Sequence, residues 1–156
     1  MSTKTDASRD RPPYVAFPRT LVNDPMFTNL ARDSQWLLQH CERDPYRLRC
    51  GVLVYNPRGT SRDAKATEEE VDEWLAELSA VGWVVHDENT SEIFLTRHME
   101  WDYTLSALTN AKGVLNDVTR VRSRQLADLV RDEVYRAFPQ LAPSFGIDPS
   151  WTGRWS

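Results

Sequence analysis

The clearest pattern in the chain is a run of apolar positions in the middle of it. Val71, Trp74, Leu75, Leu78 and Val81 recur at the spacing of one helical face, which predicts a helix with a buried stripe over 67–81. Thr67 and Glu70 have the spacing of a capping box, and the acids of the first turn suit the positive end of the helix dipole. Gly82 stands where a helix is commonly closed by a left-handed residue. The following "WVVHDENTSEIFL" is two short β-rich runs around a polar turn, which predicts a hairpin.

Other segments are read in the same way. "LARDSQWLLQHCE", from Leu30 to Glu42, places Leu30, Leu37, Leu38 and Cys41 on one face of a helix that Asp44-Pro45 ends. "LRCGVLVYN", Leu48 to Asn56, reads as a strand. Asn56 and Pro57 resemble an N-cap and a first-turn proline, but Gly59 and the lack of large apolar residues leave "PRGTSRDAK" open between a short helix and a loop. Asp24 before Pro25 predicts a capped helical turn. "LSALTNAKGVLNDV" and "SRQLADLVRDEVYRAF" predict two amphipathic helices broken near "TRVRS", the second with a stripe of Leu126, Leu129, Val130 and Val134. The class expected is mainly α with a small antiparallel β hairpin, that is, α+β.

Composition narrows the function more than the fold. A chain of 156 residues with 40% hydrophobic and 27% charged residues suits one domain. No apolar run is long enough to span a bilayer, and "MSTKTDASRDRPP" lacks the apolar core of a signal peptide; residues 1–13 read as a disordered leader. A cytoplasmic protein is expected. Cys41 and Cys50 are expected as buried thiols, because His40 beside Cys41 belongs to no metal-ligand spacing. No nucleophile motif, phosphate loop or paired carboxylate is present, and His40, His86 and His98 are scattered. No enzyme, cofactor or metal is expected.

Helix, strand, short helix, long helix and hairpin is the order of a winged helix. The wording "YVAFPRTLVNDPMF", "CGVLVYNP" and "TEEEVDEWLAELSAVGWVVHDENTSEIFLTRHMEWD" resembles the DnaD-like, replisome-organiser type of winged-helix protein common in phages and prophages of actinobacteria. The resemblance runs from Tyr14 to Phe138. It implies a winged helix-turn-helix domain over 14–103 and C-terminal helices over 104–138 packed on or extending it; beyond the resemblance, the Pro and Gly residues after Phe138 read as a non-regular Pro/Gly/aromatic tail over 139–156. Phe145, Trp151 and Trp155 in that tail either fold back or dock elsewhere. The resemblance further implies a phage protein in the host bacterial cytoplasm, with a DNA-binding or replisome-loading role and no catalysis. The helix-turn-helix would be 57–65 with 67–81.

Charge complicates that reading. Net charge is −4, and the stretch between Ala66 and Thr96 holds nine acids and no Lys or Arg. Duplex binding rests on cations that neutralise phosphates, whereas Glu69, Asp72, Glu73 and Glu77 on an exposed face would repel them. The candidate phosphate contacts are therefore those outside the gap: Arg58, Arg62, Lys65, Arg97, Arg120, Arg122 and Arg124. They would position the protein without reading sequence. Two functions follow. One is a DNA-binding winged helix in phage replication initiation or transcriptional regulation, with double-stranded DNA as partner. The other is an interaction module, or DNA-mimicking inhibitor, that binds a host or phage replication or regulatory protein through the acidic face or aromatic tail. A homodimer is left open.

Overall fold

The structure is a computed structural model that describes residues 23–143. The first element is a single helical turn, α1 (Pro25–Thr28), capped as expected by the Asp24 side chain, which accepts from the Met26 amide. Helix α2 (Arg32–Glu42) starts two residues after the apolar pattern begins. Its cap comes from far away in sequence: the Ala31 amide donates to Oε1 of Glu77 at 2.9 Å.

Strand β1 (Val52–Val54) is much shorter than the β-rich run around it. Gly51 has φ +94°, and the Gly51 amide closes a turn onto the Leu48 carbonyl, so the chain bends before the strand begins. Helix α3 (Pro57–Ala64) resolves the open choice in favour of a helix. Asn56 accepts from the Gly59 amide and Pro57 presets the first turn, so capping suffices although Thr60 is its one buried residue. Lys65, left-handed at φ 56°, turns the chain into α4 (Glu68–Val81). Both halves of the capping box form, and Gly82 closes the helix at φ 92°.

Strands β2 (Val84–Asp87) and β3 (Glu92–Leu95) form the expected hairpin, with Val85 opposite Phe94. The sheet is wholly antiparallel in the order β1-β3-β2. A short helix with no counterpart in the sequence pattern, α5 (His98–Trp101), follows β3. A 3-10 turn (Thr104–Ser106) leads to α6 (Leu108–Val118) and α7 (Arg124–Ala137), and a second 3-10 turn (Pro139–Leu141) ends the described chain.

The sheet is covered on both faces. Leu53, Val84, Ile93 and Leu95 point to one side, onto Leu37, Leu38 and Cys41 of α2 and Val71, Leu75 and Leu78 of α4. Val52 and Phe94 point to the other, onto Ala111, Val114 and Val118 of α6 and Leu126, Val130 and Val134 of α7. Every residue of β3, including Glu92, is buried as a result. Three expected core positions differ. Trp74 is half-buried, T-shaped to Trp36 at the rim. Val81 is exposed in the last turn of α4, bordering a shallow hollow with Met26 and Leu30. Leu129 is exposed because the face of α7 that meets the sheet runs through Leu126, Ala127, Val130 and Val134, leaving it at the edge. No helix among the described residues is long and apolar enough to cross a membrane.

Candidate functional site

The seven candidate cations occupy three different settings. Arg58 and Arg62 lie one turn apart on α3, and Lys65 caps that helix; all three are exposed. Arg62 is 83% exposed, with Nε 4.0 Å from Asp63 Oδ1, and Asp63 also faces His40 at 3.8 Å. The side chains of Arg58 and Lys65 make no bond among the described residues.

Arg97 is used inside the fold. Its guanidinium reaches Asp24 at 3.2 Å and Glu100 at 3.3 Å, and lies 5.1 Å from the Trp83 ring centroid and 5.7 Å from that of Trp101. Partial burial works against its charge, but the bonds to Glu100 and Asp24 outweigh that and hold its pKa above the ordinary value. It clamps α1 to α5.

The third group stands where α7 meets the hairpin. The buried Glu92 carboxylate accepts from the Arg122 amide at 3.1 Å and the Ser123 amide at 2.7 Å. Ser123 caps α7 by accepting from the Leu126 amide, and its hydroxyl donates to Asp87 Oδ2 at 2.5 Å. The Arg122 guanidinium donates to the Thr90 carbonyl at 2.6 Å and so braces the hairpin turn. Arg120 is 67% exposed and 3.9 Å from Asp117, while Arg124 is exposed in the first turn of α7.

The acidic candidates also divide. Glu77 caps α2, and Asp72 Oδ1 accepts from the Tyr55 hydroxyl at 2.8 Å. Burial, and then that bond to a carboxylate, push the Tyr55 phenol well above its ordinary value. Glu69 and Glu73 are exposed and make no side-chain bond among the described residues. Between α4 and the hairpin runs an open groove, lined among others by Pro57, Asp72, Asp87, Glu88 and Gln125, and by no Lys or Arg. Pro57 precedes Arg58 and Gln125 follows Arg124, so both basic segments adjoin this groove in sequence while contributing no Lys or Arg to its lining.

One polar cluster escaped the sequence reading. His98 Nδ1 lies 2.7 Å from Glu42 Oε2, with both side chains fully buried. His98 Nε2 lies 2.7 Å from an Arg47 guanidinium nitrogen, and Arg47 Nε donates to the Glu42 carbonyl. Guanidinium can only donate, so Nε2 accepts and Nδ1–H donates to Glu42, which fixes the tautomer of His98. Both ring nitrogens are thereby occupied, and neither the His98 nor the Glu42 side chain meets solvent; the cluster ties the end of α2 to the start of α5. A signal did exist. Ser34, Leu38 and Glu42 follow one another at i+4 on α2, so a carboxylate stands at a core phase and demands a buried partner.

Cys41 and Cys50 are free and buried in opposite cores, and burial pushes their thiols up to about 12 and about 11. Among the described residues no three His, Cys, Asp or Glu side chains gather as a metal site. The leader and the tail residues Phe145, Trp151 and Trp155 lie outside the described residues. No protein-family model matches the chain, and no curated protein or solved structure shows a significant similarity to it.

Proposed function

We propose that this chain is a non-catalytic winged helix-turn-helix protein that binds double-stranded DNA in phage replication initiation or transcriptional regulation. Helices α3 and α4 would be the helix-turn-helix pair and the β2–β3 hairpin the wing. The order β1-β3-β2, in which the first strand pairs with the last, supports the winged-helix reading. The resemblance to DnaD-like replisome organisers points the same way.

The observation that carries the DNA reading is the row of exposed cations on α3, Arg58 and Arg62 with Lys65 at its end. Each cation that meets a phosphate releases counterions, and that release supplies sequence-independent affinity. Arg120 and Arg124 are exposed enough to assist, whereas Arg97 and the Thr90-bonded Arg122 are engaged within the fold. Helix α4 is a poor base reader, because Glu68, Glu69 and Glu70 occupy the helix end that would otherwise attract phosphate. The interface is therefore one that positions more than it specifies. Fluorescence anisotropy with duplexes of different sequence tests this. Arg58→Ala with Arg62→Ala should weaken binding about equally on all of them, with a salt slope reduced by up to about 0.9 for each phosphate no longer neutralised. Unchanged affinity would place the interface elsewhere.

A further inference from the structure

The groove between α4 and the hairpin has a volume of about 1020 Å³ and is open to solvent. One wall is α4, where Ala76, Ser79 and Ala80 let another chain's backbone approach closely. Its floor includes Leu75 and the edge-on pair Tyr55 and His86, with ring centroids 5.5 Å apart at 81°. The hairpin contributes Asp87, Glu88 and Asn89 to the lining, and α4 contributes Asp72. Helices α6 and α7 cover the opposite face of the sheet, but this end of the α4-facing side has no neighbour among the described residues that fills it.

We propose that this groove is the docking site for a Lys- or Arg-bearing segment of a partner protein. Charge complementarity and shape both favour that occupant. Three carboxylates line the groove, with no Lys or Arg to offset them, so a phosphate backbone is repelled and a cationic side chain is drawn in. The half-buried His86 ring in the lining suits an alkyl stem. The small residues of α4 leave room for main chain, whose amides Asn89 and Gln125 can bond. Asp87 keeps its charge readily, since the bond from Ser123 holds its carboxyl below the ordinary range. The site is separate from the α3 cations, so one molecule can hold DNA on α3 and a basic protein segment beside it.

The test uses the full ¹⁵N-labelled chain, a blocked peptide of alternating Arg and Gly, the same peptide with Glu for Arg, and a short duplex. The Arg peptide should shift the amides of Ala76, Ser79, Glu88, Asn89 and Gln125 saturably, and the Glu peptide should not. Asp72→Asn with Glu88→Gln should weaken binding about five-fold, as expected for exposed charge pairs. The amide oxygen that Asp72→Asn introduces would still accept from the Tyr55 hydroxyl, so the fold is kept. Glu69→Gln with Glu73→Gln, outside the groove, should change it less than about two-fold. Ala80→Trp, which fills the groove without altering charge, should abolish it. Arg58→Ala with Arg62→Ala should leave the peptide response intact, which separates this site from the DNA reading. Equal weakening by the two carboxylate pairs, shifts scattered over the surface, or no saturable shift would overturn the proposal. So would a duplex that shifts the same groove amides, since the groove would then be a nucleic-acid face.

Discussion

Gly51 shows how one residue can hold several others in place. A Cβ built there would lie 2.7 Å from His98 Cβ and 3.1 Å from the Leu95 carbonyl oxygen, and φ is +94°. Gly51→Ala should therefore cost more than about 1 kcal/mol in urea denaturation, combining strain with a clash against the Glu42–His98–Arg47 cluster. Gly82 has a similar φ of +92° but nothing within 4 Å of the added atom, so Gly82→Ala should be the milder change. A larger destabilisation at Gly82 would contradict this ordering. His98→Leu should be severe, about 3–5 kcal/mol, because it leaves the Glu42 carboxylate fully buried without its partner. The thiols give a reagent test. With pKa values near 12 and 11, Cys41 and Cys50 should resist a thiol-specific disulfide reagent at about pH 8 in the folded chain and react fully in denaturant.

At the scale of elements, the junction of α7 with the hairpin is held by carboxylates. The two amides use different oxygens of Glu92, so Glu92→Gln keeps one acceptor and sets an NH2 donor against the other backbone N–H, and should cost at least about 1.5–3 kcal/mol by denaturation. Asp87 adds a pH dependence. Its carboxyl is held low in the folded state, first by the Ser123 hydroxyl, so the folded chain binds that proton less readily than the unfolded chain. Its contribution is present above about pH 4, the ordinary aspartate value, and is lost as pH falls through the lower folded value. Asp87→Asn should flatten the fall of Tm with acid in that window. Helix α4 and the hairpin are legible in the sequence because period, capping box and Gly82 all agree there. Helix α3 is ambiguous in sequence, since its stability comes from Asn56 and Pro57 and not from an apolar stripe. Helix α5 and the shortness of β1 have no local signature. Both depend on pairings between distant residues, His98 with Glu42 and Gly51 with His98, which no local pattern records. Among candidate site residues, Arg58, Arg62 and Lys65 stand out in the sequence as basic residues just before the acid-rich stretch. The engagement of Arg97 between Asp24 and two Trp rings cannot be read there.

In the whole molecule, a three-stranded sheet separates two cores, and charge is partitioned across its surface. Leu78→Ala should cost roughly 2–5 kcal/mol, as Leu78 is fully buried between α2, α4 and the sheet. The exposed cations of α3 and of the start of α7 each adjoin the acidic groove in sequence, while α4 itself carries the exposed Glu69 and Glu73. In the proposed function, phosphate binding runs through α3 while α4 opposes it. The most direct measurement is a duplex titration from about 50 to about 200 mM salt, on wild type, on Arg58→Ala with Arg62→Ala, and on Glu69→Gln with Glu73→Gln. Wild type should bind at low salt, the Arg pair should weaken binding on every sequence with a shallower slope, and the Glu pair should strengthen it by removing repulsion. A wild type that binds no duplex at the lowest salt would contradict that proposal, as would a Glu pair that loses sequence preference, because those carboxylates would then be reading bases.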